Sequence, residues 1–402
     1  MACRSRDAWT RLPSVLAAIV VALVAAAGAQ ASPGLLVGAA EDAGKAPTPE
    51  DAKVKMDLAK LAGLQAIRLT ARWQTGQRAP LPADLAALRN AVTAADQDGV
   101  VVYLSVFPTG SRVTPVTARA RSDFAAFAAS LARDLPTVGR IIVGNEPNLN
   151  RFWMPQYDGR GRDAAAPAYE ALLAKTYDAL KAVSASLIVI GGAVSPRGND
   201  TIRSKKHSPT TFIADLGKAY RLSGRHRPIM DAFSLHPYED NSSIPPTLLH
   251  RRSTDIAIAD YGKLVNLLGK AFNGTAQKGS KLPIVYDEFG VQSVIPLAKQ
   301  AAYEGVKPRS ARPVSEAKQA VYYAEALALA ACQPTVVALL IFHVSDEPDL
   351  DRWQSGVFYA DDTPKTSLRV VARAIGLLRS GGVGGCTPAA VRAFAARSFA
   401  AG

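Results

Sequence analysis

The sequence predicts the α/β class and, within it, a single (β/α)8 TIM barrel. Eight short, continuously apolar runs recur along the chain, and longer segments with helical spacing separate them. The Gly-rich turn that an open dinucleotide-binding sheet carries after its first strand is absent, and Gly38-Ala39-Ala40-Glu41 stands there instead. Continuous apolar character fits strands covered on both faces, as in a parallel sheet. The barrel is placed at 32–378, about 345 residues, at the large end for one domain.

The strand-like runs fall at 35–40, 66–70, 100–106, 140–144, 187–191, 232–236, 283–288 and 336–343. Thr48, with Pro49 next and Asp51 three on, reads as a helix start. Ser122 reads as the cap of a helix whose Phe124, Phe127, Leu131 and Leu135 share one face. Ile258, Tyr261, Val265 and Leu268 repeat that spacing, Ser315 precedes a helix to about 332, and a last barrel helix fits 365–378. The Gly-rich stretch 381–385 and the Ala-rich segment after it read as a flexible C-terminal tail, 379–402, with a short helix.

Composition narrows the class. At 48% hydrophobic and 20% charged, the chain is too apolar to be mostly disordered. Only one long apolar run exists, which excludes a multi-span membrane protein. That run, 15–27, follows Arg4, Arg6 and Arg11 and ends in Ala29-Gln30-Ala31. Residues 1–31 therefore read as a secretory signal peptide cleaved before Ser32. A secreted protein is expected, extracellular or cell-wall associated, with membrane attachment only if the segment stays uncleaved. Cleavage would remove three Arg and one Asp, taking the formal charge from +13 to +11. The densest basic stretch, Arg203-Ser204-Lys205-Lys206-His207, is short and lacks interleaved aromatics, so nucleic acid is not an expected partner. Cys332 and Cys386 remain after cleavage. One would end the seventh helix and the other follow the eighth, both on the barrel face away from the strand C-termini, where a disulfide is expected.

Two apolar runs stop on a glutamate. The fourth ends Val143-Gly144-Asn145-Glu146-Pro147, and the seventh ends Asp287-Glu288-Phe289-Gly290. Strand C-terminal ends are where a barrel delivers side chains into its active site. Two carboxyls on one rim can sit across a glycosidic bond, one protonating the leaving oxygen and the other attacking the anomeric carbon. A separation of about 5–5.5 Å gives retention, and about 6.5–9.5 Å admits a water and gives inversion. A single strand-end Glu would read as an ordinary rim carboxylate.

With these residues the chain resembles the clan A glycoside hydrolases, the retaining (β/α)8 group that includes the family 5 cellulase-like enzymes. The resemblance implies Glu146 as acid/base and Glu288 as nucleophile, with Asn145 on the sugar 2-hydroxyl. It extends to Arg68, followed five residues later by Trp73, as the cation that keeps the nucleophile ionised. It also extends to His236-Pro237-Tyr238 at the sixth strand end, with Tyr238 orienting Glu288. The third strand ends Ser105-Val106-Phe107-Pro108, without the His many family 5 members show. At the eighth strand end His343 stands where the clan offers a Trp beneath the sugar.

Trp73, Trp153 and Trp353 each follow a strand and are expected to line a carbohydrate cleft, with Phe107, Phe152 and Tyr157 nearby. Long loops at 195–208 and 239–254 are where specificity would reside. The acidic run Asp346-Glu347-Pro348-Asp349-Leu350-Asp351 has no regular ion-binding spacing. The expected activity is hydrolysis of a β-linked oligo- or polysaccharide by two glutamates, with no cofactor or metal. The competing reading is a catalytically inactive carbohydrate-binding barrel of the cell surface, which would call for loss of one Glu. Five scattered His without His-x-His argue against a metallohydrolase, and no Gly-x-Ser-x-Gly elbow is present.

Overall fold

A computed structural model describes residues 34–399. The expected signal peptide, 1–31, lies outside the described residues. The chain forms a closed parallel barrel with its strands in sequence order. The strands are β1 (Leu36–Ala40), β2 (Ala66–Trp73), β3 (Val101–Pro108), β4 (Arg140–Val143), β5 (Ile188–Val194), β6 (Ala232–Leu235), β7 (Ile284–Phe289) and β8 (Val336–Ile341). The helices are α1 (Pro49–Leu61), α2 (Pro82–Asp98), α3 (Ala118–Asp134), α4 (Ala165–Val183), α5 (Pro209–Leu222), α6 (Tyr261–Phe272), α7 (Glu316–Ala331), α8 (Thr366–Arg379) and α9 (Pro388–Phe399). All eight expected strands are present, and the fold is a TIM barrel.

Local chemistry sets the helix starts. The Thr48 hydroxyl accepts the Asp51 N–H at 3.1 Å, and Ser315 accepts from Lys318 at 3.3 Å. The expected cap at Ser122 is corrected. Helix α3 begins earlier, with Thr117 accepting from Ala120 N at 3.1 Å, and Ser122 donates back to Ala118 O at 2.9 Å from inside the helix. Both residues can cap. Ala118-Arg119-Ala120-Arg121 is made of good helix formers, so the earlier cap recruits an extra turn.

One small cluster fills the barrel interior: Ala66, Tyr103, Ile142, Ile190, Ala232, Val285 and Ala338 come from β2 to β8, and Ala193 and Leu340 add a second residue from β5 and β8. Continuing two residues up the inward face of β2, β6 and β7 brings Arg68, Ser234 and Asp287, and then His236. All are buried. The apolar interior therefore changes to a charged layer at the strand C-termini. A much larger cluster packs the helices onto the outside of the sheet.

The C-terminal segment is packed, not loose. Val391, Phe394 and Ala395 form a buried stripe on α9, joined to the core that includes α7 and α8. Val383 is buried, and Arg397 donates to Gly382 O and to Val383 O. Cys332, capping α7, is bridged to Cys386 across 5.4 Å between Cα atoms. The bridge lies at the N-terminal end of β8, away from the charged layer. Among the described residues no helix is long and apolar enough to cross a membrane.

Candidate active site

The turn after β4 aims Asn145 and Glu146. Gly144 has φ +94°, and a Cβ there would lie 2.8 Å from the Tyr169 ring, so only glycine fits. That ring is pinned: Tyr169 donates to Val143 O at 2.6 Å and accepts from Gly192 N at 2.8 Å. Glu146 itself sits at φ +40°, held by its N–H on Ala193 O at 2.7 Å. Asn148, which the sequence did not single out, locks this turn to the β5 loop by accepting from Ser195 N at 2.9 Å. Asn145 is buried, and its Oδ1 has no hydrogen-bond partner among the described residues.

Across the barrel, β7 supplies two carboxylates in a row. Side chains of a regular strand alternate between faces, which would send Asp287 and Glu288 opposite ways. The β7–β8 register shifts between Tyr286 and Phe289, and this irregularity lets both reach one cation. Arg68 Nη2 lies 2.8 Å from Glu288 Oε1, and Nη1 lies 3.2 Å from Asp287 Oδ2. Tyr238 donates to Glu288 Oε2 at 3.0 Å. Burial and the nearby Glu288 and Glu146 push the Tyr238 phenol well up, so it remains a donor.

His236, fully buried, stands between the two glutamates. Its Nδ1 lies 3.2 Å from Glu146 Oε1 and 3.4 Å from Glu288 Oε2. These oxygens therefore can be no further apart than twice 3.4 Å. That limit, set by the nearest oxygens, admits the retaining range. Burial alone would raise the Glu288 carboxyl. The His236 and Arg68 charges, with hydrogen bonds from Tyr238 and Arg68, outweigh it and hold Glu288 below the ordinary carboxylate value.

The expected aromatic residues divide. Trp353 reaches the site: its ring lies 4.9 Å from Tyr238, tilted by 36°, and 5.6 Å from Phe342. Beside it opens a cavity of about 210 Å³ whose walls include Tyr238, Glu239, Gln292, Arg352 and Trp353. Trp73 and Trp153 do not reach the cleft and are corrected. Trp73 is 0% exposed, donates to Gln77 O and packs on Phe124 of α3; Trp153 is 1% exposed, edge-on to Tyr169. Both rings turn outward, where the helix layer offers more apolar contact than the polar rim.

His343 is also displaced from the role given to it. It turns toward β1, with Nδ1 2.8 Å from Ala40 O and Nε2 3.7 Å from Glu347. The β8 ring that faces Tyr238 and Trp353 is Phe342, which the sequence reading passed over. Within the acidic run, Asp346 pairs with Lys365 at 2.7 Å and accepts from Tyr303 and Gly356, so it braces the β8 loop. Among the described residues no group of three or more His, Cys, Asp or Glu is arranged to hold a metal ion.

No family model and no curated protein matches the sequence. Solved structures do match. A family 39 glycoside hydrolase from Bacteroides cellulosilyticus aligns at TM-score 0.61 and 18% identity, over 87% of this chain and 64% of that one. A family 39 β-xylosidase from Caulobacter crescentus aligns at 0.54 and 17%, over 86% and 72%. A family 5 variant from Streptomyces cattleya, in complex with Manβ1-4GlcNAc, aligns at 0.56 and 14%, over 86% and 81%. The chain spans under two thirds of the first of these and about a third of two β-glucuronidases from Bacteroides uniformis. The structural neighbours are clan A glycoside hydrolases, and at these identities the likeness shows a shared (β/α)8 barrel.

Proposed function

We propose that this protein is a secreted retaining glycoside hydrolase acting on a β-linked glycan. The observation that supports this most is that Glu146 and Glu288, from two different strand ends, both come within 3.4 Å of a single His236 nitrogen. Glu288, ionised by Arg68 and His236, attacks the anomeric carbon. As that bond forms, the carbon–oxygen bond to the leaving sugar breaks and Glu146 gives its proton to the departing oxygen. In the second step Glu146 takes a proton from water, the water oxygen bonds to the anomeric carbon, and Glu288 is released. Asn145, whose Oδ1 has no other partner among the described residues, is assigned to the sugar 2-hydroxyl. Trp353 and Phe342 offer apolar faces to a pyranose ring.

The β-linked class is favoured because a β-xylosidase and a complex of Manβ1-4GlcNAc are among the proteins that share the fold. Localisation outside the cell rests on the N-terminal segment alone. The test is trapping. The mature protein is incubated with a panel of 2-fluoro-β-glycosyl fluorides and digested for mass spectrometry. A glycosyl adduct on Glu288 is expected. An adduct on another residue, or full turnover by Glu288→Ala, would overturn the mechanism. Retained glycan binding without any adduct would favour the inactive binding barrel.

A further inference from the structure

Asp287 takes no part in the two-step scheme, yet it is a fully buried carboxylate one residue from the nucleophile. Burying a carboxylate costs several kcal/mol unless partners compensate. Its partners are Arg68, at 3.2 Å, and His236 Nε2, at 3.4 Å from Oδ2. His236 is the informative one. Its Nδ1 faces the oxygens of Glu146 from β4 and Glu288 from β7, and its Nε2 faces Asp287 from β7. A neutral imidazole has one N–H and one lone pair. Whichever nitrogen kept the lone pair would direct it at a carboxylate in a buried site. With Glu288 ionised at Nδ1 and Asp287 ionised at Nε2, only the imidazolium suits both sides.

Tyr238, on the same strand end as His236, meets the imidazole edge-on at 6.4 Å and brings no charge. Arg68, from β2, is the second cation of the cluster. Two cations therefore face three carboxylates, and one proton on a carboxylate completes the neutral count. A glycosidase needs such a proton in its first step.

We propose that Asp287 is a positioning residue: it holds His236 as an imidazolium between Glu146 and Glu288, and its charge obliges the centre to keep one proton. The use of that proton in hydrolysis rests on the proposed function, but the state of His236 does not. Consistent with the geometry, burial would lower the imidazole, but Glu288, Asp287 and Glu146 outweigh it and push it up to about 10.

The test has two arms. In ¹⁵N-histidine-labelled protein, with His236→Asn used to assign the resonance, both ring nitrogens of wild-type His236 should be protonated at pH 7. In Asp287→Asn the titration should move to lower pH by about one unit or more. In the second arm, kcat/KM is followed against pH with whichever p-nitrophenyl β-glycoside the wild type cleaves. The basic limb should shift to lower pH in Asp287→Asn; a merely structural role would depress the whole profile without moving it. A neutral His236 at pH 7 in the wild type, or superimposable titrations in the folded variant, overturns the proposal. Should Asp287→Asn not fold, the wild-type titration alone decides. If the titration behaves as expected and no glycoside is cleaved, the functional reading fails and the Asp287 assignment stands.

Discussion

Arg68 shows how much rests on single side chains at this centre. One guanidinium spans Asp287 and Glu288, and it is nearly buried, so it cannot be exchanged for a flexible ammonium without losing one contact. Replacing it by methionine removes the cation and leaves two carboxylates facing each other. An adjacent cation typically lowers a carboxylate by about 1–3 pH units, so the acid limb of kcat/KM should move up by that order in Arg68→Met. Stability should fall by about 3–5 kcal/mol, the usual cost of breaking a buried pair. The sign with pH follows from Glu288, whose folded value is depressed. Its contribution is present above the unfolded carboxylate value and lost as pH falls through the folded one. The variant should therefore show a weaker acid destabilisation in urea melts at pH 3–7. Glu146 is tested through the leaving group. Glu146→Ala should slow β-glycosides with poor leaving groups by about 10²–10⁴-fold, and activated aryl glycosides far less. Equal loss across leaving groups would remove Glu146 as the acid.

The same scale shows what the sequence could reveal. Both glutamates were visible because each ends an apolar run, and a strand end in a barrel has a known address. Asp287 was not, because regular alternation would send it away from Glu288. The register shift that brings the two together is a property of pairing with β8. Trp73 and Trp153 were placed at the correct end of the barrel but on the wrong side of the sheet, and Trp73 is the last residue of β2 and not part of a loop. Chain position gives the height of a ring on the barrel, and the direction of its side chain depends on what the neighbouring helix leaves open.

Among elements, strands were easier to read than helix starts. A buried parallel strand needs an unbroken apolar run, which few other elements imitate. A cap needs only a hydroxyl followed by helix formers, and 111–122 offers several. Thr117 and Ser122 now separate by experiment. Thr117→Ala should cost about 1 kcal/mol by removing the acceptor for Ala120 N. Ser122→Ala should be neutral to slightly stabilising, because its hydroxyl only returns to a helix carbonyl already bonded within α3. Urea midpoints of the two variants check this directly. If Ser122→Ala proved the costlier change, the start of α3 would have to be redrawn.

The molecule as a whole separates chemistry from reinforcement. The charged layer sits at the strand C-termini, and the Cys332–Cys386 bridge closes the opposite end. The bridge spans a sequence separation of 54 residues that contains β8, its long loop and α8, and it ties α9 to the end of α7. In the chain-entropy model a loop of that length contributes about 4 kcal/mol by restricting the unfolded chain. Part of the hold is independent of the bridge, since Val391, Phe394 and Ala395 stay buried against the same helices. The double variant Cys332→Ser, Cys386→Ser should thus still fold, with its unfolding free energy reduced by about 2–4 kcal/mol. Its β8 loop carries Phe342 and Trp353, yet both are fixed from the top by contacts with Tyr238 that the bridge does not touch. The rate of adduct formation at Glu288 should therefore match the wild type at temperatures where both are folded. Alkylation without reduction, followed by mass spectrometry, should leave both wild-type thiols unlabelled. A variant that lost labelling at Glu288 in step with stability would mean that the two ends of the barrel are coupled.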